Sequence, residues 1–245
     1  MIVKGGRPFY GEAIGILMLD MKAPLIPGNV GNASTYDFPV RFKVLKDIPS
    51  NWWCDEEGPS LKRQKKLIET AKQLEEEGVR AITTGCGFLA IFQEKASKVL
   101  RVPLFTSPLL LVPLVSRMIG RKKKVGILTA GAGHLKGPFL KSMGVDESVP
   151  VVIAGMEEKE EFTKVHVTQE IAMLDVKRLE MEVVEVATKL VKENPDIGAI
   201  VLECSDMPPF AAAIHEAVNL PIFDFITFIN MVYLVVVKRR YEGFM

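Results

Sequence analysis

Short apolar runs alternate along the chain with longer segments whose apolar residues recur three and four positions apart. This spacing predicts helices at 55–78, 88–100 and 175–194, the first of them ending at Gly78. The runs that predict strands are 13–19, 40–45, 79–85, 102–107, 124–130, 198–203 and 220–225. Because strands and helices alternate, the pattern predicts parallel sheets covered by helices on both faces.

The second half of the chain repeats the order of the first half. Cys86 and Cys204 each follow a predicted strand, and each comes 17 residues before the proline of the next strand, Pro103 or Pro221. We therefore predict an internal repeat of about 110–120 residues. The expected fold class is α/β, with two similar pseudo-symmetric lobes. Ligands bind beyond the carboxyl ends of parallel strands, so both cysteines should face an active-site cleft between the lobes.

Two opposed thiols are suited to moving a proton from one face of a carbon atom to the other. A thiolate removes the proton, a thiol delivers one to the opposite face, and the product has the mirror-image configuration. The reference pKa of a thiol is about 8.5, and a helix beginning after each cysteine is expected to favour the thiolate. This reaction needs neither a metal nor an organic cofactor, so neither is predicted.

Charge that develops on the substrate has to be stabilised by hydrogen-bond donors near the strand ends. Glycine beside Cys86 permits close backbone approach to a ligand. Asp206 is either an acid at a helix N-terminus or a helper of Cys204, and Glu203 is expected to be a buried ion-pair partner. The polar candidates for substrate contact are Thr83, Thr84, Thr129 and Ser205 at the strand ends and Asn29, Asn32, Ser34 and Thr35 in the polar loop.

Composition narrows the partners and the location. The formal net charge of +1 gives no support to a nucleic-acid partner. Three cysteines without framework spacing, and no secretion signal at the N-terminus, predict a reducing cytoplasm. Polar residues interrupt the apolar segment 222–237, which predicts a buried helix and no membrane span. The three histidines are not spaced with the cysteines as metal ligands would be.

The two cysteine motifs, TTGCGF at 83–88 and ECSDMPPF at 203–210, resemble those of the aspartate/glutamate/hydantoin racemase superfamily. The resemblance covers essentially the whole chain. It implies two α/β lobes with paired catalytic cysteines. It also implies that the C-terminal segment crosses back to the first lobe. The first lobe would then comprise 1–115 and 222–245, and the second lobe 116–221.

This chain departs from the superfamily's glutamate enzymes at both motifs. Gly87 and Phe88 stand where glutamate racemases have Asn-Thr. Asp206 stands where glutamate racemases have His and aspartate racemases have Glu. Glutamate is therefore a less suitable substrate than a hydantoin, an aspartate-like acid or another carbonyl-activated compound.

The leading hypothesis is a cofactor-independent racemase or epimerase of a small carboxylate or hydantoin, with Cys86 and Cys204 as the catalytic acid and base. The predicted substrate-binding residues are Asn32, Thr35, Thr84, Gly87, Thr129, Ser205 and Asp206. One alternative is an isomerase or decarboxylase of the same superfamily that acts on a maleate- or malonate-type acid. Another is a non-catalytic sensor of a small carboxylate. A homo-oligomer is compatible with the apolar C-terminal segment.

Overall fold

Two parallel sheets organise the molecule. The computed structural model describes residues 2–3, 5–54, 59–120 and 122–245. Within these residues the strands form two sheets of four, ordered β2-β1-β3-β4 and β6-β5-β7-β8. The strands are β1 Ile14–Asp20, β2 Val40–Pro49, β3 Ala81–Thr84, β4 Leu104–Phe105, β5 Lys124–Thr129, β6 Val151–Gly155, β7 Ile197–Leu202 and β8 Ile222–Phe223. The equivalent order of the two sheets confirms the predicted pair of similar α/β lobes.

Long crossovers connect successive strands, as parallel pairing requires, and each contains an α-helix except the β1–β2 loop, which has the 3-10 helix Ala33–Thr35. The α-helices are α1 Leu61–Glu77, α2 Gln93–Ser97, α3 Val112–Met118, α4 Gly137–Ser142, α5 Glu160–Phe162, α6 Val176–Glu193, α7 Ala211–Val218 and α8 Phe225–Val236. A single π-helical segment, Thr163–Val167, follows α5 in the described part of the chain. The predicted helix at 175–194 is present as α6.

Local capping sets the ends of α1. The side chain of Ser60 accepts a hydrogen bond from the Arg63 N–H, and Gly78 closes the helix in a left-handed conformation with φ of 94°. The sequence pattern placed the start of this helix at residue 55. The helix begins instead at Leu61, and residues 55–58 lie outside the described residues.

The segment after Cys86 differs from the expected single helix at 88–100. It forms a 3-10 helix, Gly87–Phe92, followed by the short α2. Strand β6 was not predicted from the sequence. It lies at the edge of the second sheet and is half-buried along its whole length, unlike the fully buried central strands β3 and β7.

The central strands β3 and β7 are buried along their whole length, as strands covered by helices on both faces should be. Each is followed two residues later by a cysteine, Cys86 after β3 and Cys204 after β7. Parallel strands end at the same edge of their sheet. The repeat therefore places both thiols at equivalent points of the two lobes.

The C-terminal helix α8 packs on the first sheet. Its Phe228 ring lies 4.9 Å from that of Phe105 in β4, and its Tyr233 ring stacks 3.6 Å from that of Phe38. Asp224 caps the helix by accepting a 2.7 Å hydrogen bond from the Thr227 N–H. None of the helices in the described ranges is both long enough and apolar enough to cross a membrane.

We predict that Phe228→Ala lowers the free energy of unfolding by about 3–5 kcal/mol, because it removes a buried ring from the contact between α8 and the first sheet. Urea unfolding followed by circular dichroism measures this change. Leu234→Ala on the exposed face of the same helix is the matched control and should change stability little. Equal losses in both variants would contradict this packing.

Candidate active site

Both cysteines line one cavity between the carboxyl ends of the two sheets. The side chains come from opposite lobes, and each cysteine is 9% exposed. The cavity encloses about 420 Å³, counting the part of its mouth that is open to solvent. Three of the predicted substrate-binding residues line it: Gly87, Ser205 and Asp206. The structure thus brings both predicted catalytic residues to a single site.

The loops that carry the two cysteines touch each other directly. The Ser205 hydroxyl donates a 2.8 Å hydrogen bond to the Gly85 carbonyl oxygen. A Cβ atom at Gly87 would lie 2.1 Å from the Glu203 Oε1 atom and 2.3 Å from the Glu203 carbonyl oxygen. No larger residue fits at position 87 without displacing Glu203. Glycine beside Cys86 was expected to let the backbone approach a ligand. In the structure the Gly87 backbone instead lies against the Glu203 carboxylate.

Each thiol has a backbone donor and a carboxyl group of its own. The Phe88 N–H points to the Cys86 sulfur, and the Asp206 N–H points to the Cys204 sulfur. Glu203 is the carboxyl group with the larger effect on Cys86. Asp206 plays that part for Cys204, whose Sγ lies 3.6 Å from the Asp206 Oδ2 atom and donates to it. The two half-sites are therefore similar in plan but differ in their acids.

Burial raises the pKa of both thiols. The pKa of Cys86 rises to about 12, first through loss of hydration and then through the neighbouring Glu203. The pKa of Cys204 rises well above its ordinary value through burial and the nearby Asp206. The expectation that helix N-termini would favour the thiolates was wrong. A 3-10 helix follows Cys86, and α7 begins well beyond Cys204, so no α-helix N-terminus compensates for burial.

Glu203 is fully buried in the cavity wall. Its Oε2 atom accepts a 2.7 Å hydrogen bond from the Thr129 hydroxyl, while its Oε1 atom has no hydrogen-bond partner. Burial raises the pKa of this carboxyl group to about 7. The prediction of a buried ion pair was wrong, because no cation among the described residues contacts Glu203. The sequence feature that indicated its place in the site is its position directly before Cys204.

Asp206 belongs to a small buried network. Its Oδ1 atom accepts a 2.7 Å hydrogen bond from the Asn29 side chain, and its Oδ2 atom lies 3.4 Å from His166 Nδ1. Both ring nitrogens of His166 lack a hydrogen bond within the described structure. His166 lies on the π-helical segment, far along the chain from both cysteine motifs, and no local pattern pointed to it. Asn29, a candidate from the polar loop, reaches the site through Asp206.

Two other residues of the polar loop lie outside the cavity lining. The Asn32 side chain donates to the Leu25 carbonyl oxygen at 2.7 Å and caps the short 3-10 helix Ala33–Thr35. The Thr35 hydroxyl donates to the Asn29 carbonyl oxygen at 2.9 Å. Both side chains thus shape the loop that holds Asn29, and neither faces the cysteines.

The two strand-end threonines also lie behind the lining. The Thr84 hydroxyl lies 2.7 Å from the Thr106 carbonyl oxygen and 2.9 Å from that of Cys86. The Thr129 hydroxyl donates to Glu203. Both hydroxyls are buried and engaged. They therefore hold the loop of Cys86 and the carboxylate of Glu203 in place.

Aromatic rings form another part of the wall. Trp53 stacks on Phe88 with 4.5 Å between ring centroids, and Phe162 also lines the cavity. Among the described lining residues there is neither a lysine nor an arginine, and His166 is the one side chain able to carry positive charge.

No three His, Cys, Asp or Glu side chains in the described ranges cluster as metal ligands would.

Comparison with known proteins finds relatives named as lyases. The chain is 29% identical over 217 residues to a dimethylsulfoniopropionate lyase from Durusdinium sp. clade D, covering 86% of this chain and 71% of that protein. It is also 29% identical over 226 residues to dimethylsulfoniopropionate lyase 7 from Emiliania huxleyi, covering 89% of this chain but 65% of that protein. No protein-family model matches the chain.

Similar solved structures support the fold. A glutamate racemase from Bacillus anthracis superposes with a TM-score of 0.59 at 16% identity, over 93% of this chain and 85% of that chain. An aspartate racemase from Picrophilus torridus gives 0.59 at 18% identity, over 95% and 96%. Unliganded arylmalonate decarboxylase gives 0.58 at 16% identity, over 94% of each chain.

The chain has the two-lobed α/β fold of these racemases and of arylmalonate decarboxylase, which is the fold that its cysteine motifs predicted. The relatives and the structural neighbours are all named as enzymes, and the class of reaction differs among them.

We predict that Gly87→Ala destabilises the protein and disturbs the site, because the added methyl group would meet the Glu203 carboxylate. We expect a loss of about 1–3 kcal/mol in the free energy of unfolding, measured by urea denaturation. Gly133→Ala is the matched control, since a Cβ there meets no atom within 4 Å. The interpretation fails if both variants are equally stable.

We predict a pH-dependent contribution of Glu203 to stability. Its pKa rises from the usual 4.5 to about 7 on folding, so between these values the folded state holds a proton that the unfolded state has released. The stability it contributes is full below pH 4.5 and is lost as the pH rises through about 7, by about 3 kcal/mol in all. Unfolding free energies at pH 5 and pH 8 measure this loss.

Glu203→Gln should remove that part of the pH dependence, and Glu216→Gln on the exposed surface of α7 should leave it unchanged. A Glu203→Gln variant with the parent's pH dependence would show that this carboxyl group titrates normally.

Proposed function

We propose that this chain is a lyase that removes the proton next to the carboxylate of a small sulfonium acid of the dimethylsulfoniopropionate class. The observation that carries the proposal is the composition of the cavity. Two thiols from opposite lobes share it with two carboxyl groups and aromatic rings, and the described lining contains no lysine or arginine. The names of relatives at 29% identity support the same class.

The charges of the lining suit a substrate that carries a positive group. Glu203 and Asp206 would repel a second negative charge in a dry cavity, which disfavours maleate- and malonate-type acids. A sulfonium group gains from both carboxylates and from the faces of Trp53 and Phe88. His166 is the lining side chain able to bind the substrate's carboxylate while its Nδ1 atom faces Asp206.

The elimination uses chemistry that a thiolate can perform alone. A cysteine thiolate takes the proton from the carbon next to the carboxylate. The electrons of that C–H bond form a double bond to the neighbouring carbon, whose bond to sulfur breaks. The sulfur keeps the bonding pair and leaves as neutral dimethyl sulfide, so the sulfonium acid yields acrylate, dimethyl sulfide and one proton. A racemase begins with the same proton abstraction, which explains how one fold accommodates both reactions.

A racemase remains the second candidate, and the symmetry of the site favours it. The thiols occupy equivalent strand ends, and each faces a backbone N–H from two residues further along. Two-base proton exchange on an amino acid or hydantoin requires such a matched pair. Elimination requires only one base, so the two reactions differ in how much they depend on the second thiol.

The test is turnover of dimethylsulfoniopropionate by the purified chain, with dimethyl sulfide measured by headspace gas chromatography and acrylate by proton NMR. We expect both products in equal amounts. Cys86→Ser should lower the rate by at least about 100-fold, because it removes an acid–base group. Cys54→Ser is the control and should leave the rate unchanged, since Cys54 is exposed and does not line the cavity.

Other outcomes would assign the site differently. Loss of optical rotation from single enantiomers of amino acids or hydantoins, without dimethyl sulfide, would support the racemase. Thermal stabilisation by a small carboxylate without turnover of any of these compounds would support a sensor. Either result would overturn the lyase proposal.

A further inference from the structure

We propose that Glu203, which comes from the second lobe, is the proton acceptor that ionises the thiol of Cys86 in the first lobe. Cys86 would then be the base of the reaction, and the protonation state of Glu203 would control how much of its thiol is ionised. The assignment deepens the proposed lyase function and rests on it for the identity of the substrate. The coupling between the two side chains can be measured without any substrate.

The position of Glu203 carries the inference. Its carboxylate lies against the backbone of Gly87, the residue next to Cys86, where a Cβ atom would be only 2.1 Å from Oε1. The side chain is fully buried, and Oε1 has no hydrogen-bond partner. A buried acceptor without a donor is costly and uncommon, so its retention calls for a function.

The other carboxylate oxygen fixes the orientation of the group. The Thr129 hydroxyl donates to Oε2 at 2.7 Å, and the Ala130 N–H also favours the ionised form of the carboxylate, which lowers its pKa. One oxygen is therefore held by the second lobe, while the other is left for a proton. In the structure the Cys86 thiol does not hydrogen-bond to Oε1. Transfer therefore needs rotation of the cysteine side chain or one bridging water.

Asp206 is less suited to the same task. Its Oδ1 atom accepts from Asn29, and its Oδ2 atom accepts from the Cys204 thiol and faces His166. Its effect on Cys86 is also smaller than that of Glu203. The two acids therefore serve different thiols, and the acid with an open oxygen is the one beside Cys86.

The proton balance of the step is simple. The Cys86 S–H bond breaks and an O–H bond forms on Glu203, giving a thiolate and a neutral acid. The thiolate then takes the substrate's proton and becomes a thiol again. Glu203 releases its proton to water, which accounts for the one proton that the elimination produces.

The titratable groups around Glu203 are Cys86, Cys204, Asp206 and His166, all in the same cavity wall. Burial raises the pKa of Glu203 to about 7, whereas burial and the neighbouring Glu203 carboxylate together raise the pKa of Cys86 to about 12. If the two share a proton, the thiolate population levels off once the pair has lost one proton, and it rises again where the second proton begins to leave. Without Glu203 that population keeps rising with pH.

The experiment follows alkylation of Cys86 by iodoacetamide from pH 5.5 to 10 in a Cys54→Ser/Cys204→Ser background, where it is the one remaining thiol. We expect the rate constant to rise up to about pH 7, to level off there, and to rise again at higher pH where the thiol ionises directly. Adding Glu203→Gln should abolish the levelling, so that the rate rises about tenfold per pH unit through the range. Asp206→Asn, the matched control, should retain the levelling.

A Glu203→Gln profile identical to that of the parent background would overturn the proposal. So would a parent profile that rises without levelling. Should Glu203→Gln fail to fold by circular dichroism, Glu203→Asp is measured instead. Its shorter side chain withdraws the carboxylate from Cys86, so the profile should lie between the other two, and an unchanged profile would again overturn the proposal.

A second readout uses dimethylsulfoniopropionate and the otherwise native chain. Glu203→Gln should change the pH dependence of kcat with little change in KM, because its rate should rise with pH where that of the native chain is flat. Glu203→Asp should restore part of the flat region. If the native chain has no lyase activity but alkylation shows the coupling, the proposed function fails and the role of Glu203 stands.

Discussion

The contact between the two cysteine loops is the constraint on which the site depends. Ser205 of the second lobe is bonded to the Gly85 carbonyl of the first, and the Glu203 carboxylate lies directly on Gly87. This approach is possible because residue 87 has no side chain. It closes the cleft around the two thiols and brings an acid of one lobe beside the cysteine of the other.

The same approach creates the electrostatic character of the site. Two carboxyl groups and two thiols are buried together in surroundings that include three aromatic rings, with no lysine or arginine in the described lining. Burial in low dielectric disfavours the charged forms of Glu203 and of both thiols, and it raises the pKa of each. Thr129 and Asn29 each fix one carboxyl group, which keeps the arrangement specific.

Much of the fold and part of the cavity lining could be predicted from the sequence. The matching positions of Cys86 and Cys204 indicated two equivalent strand ends, and the structure places both thiols in one cavity. Asp206 and Ser205 were expected there because they follow Cys204 directly. Thr84 and Thr129 were expected to face the substrate, but their hydroxyls point behind the lining. A pleated strand end does not reveal from sequence alone which side its hydroxyls face.

The repeat follows from the sequence alone: apolar runs of strand length, helical segments between them, and a cysteine after one strand in each half. These features are local, since periodicity and turn residues act within a few positions. Which side chains come into contact across the lobes depends on the tertiary structure. Glu203 has no ion-pair partner among the described residues, and His166 lines the cavity. Neither could be predicted, because contacts between residues far apart in the chain depend on how the two sheets face each other.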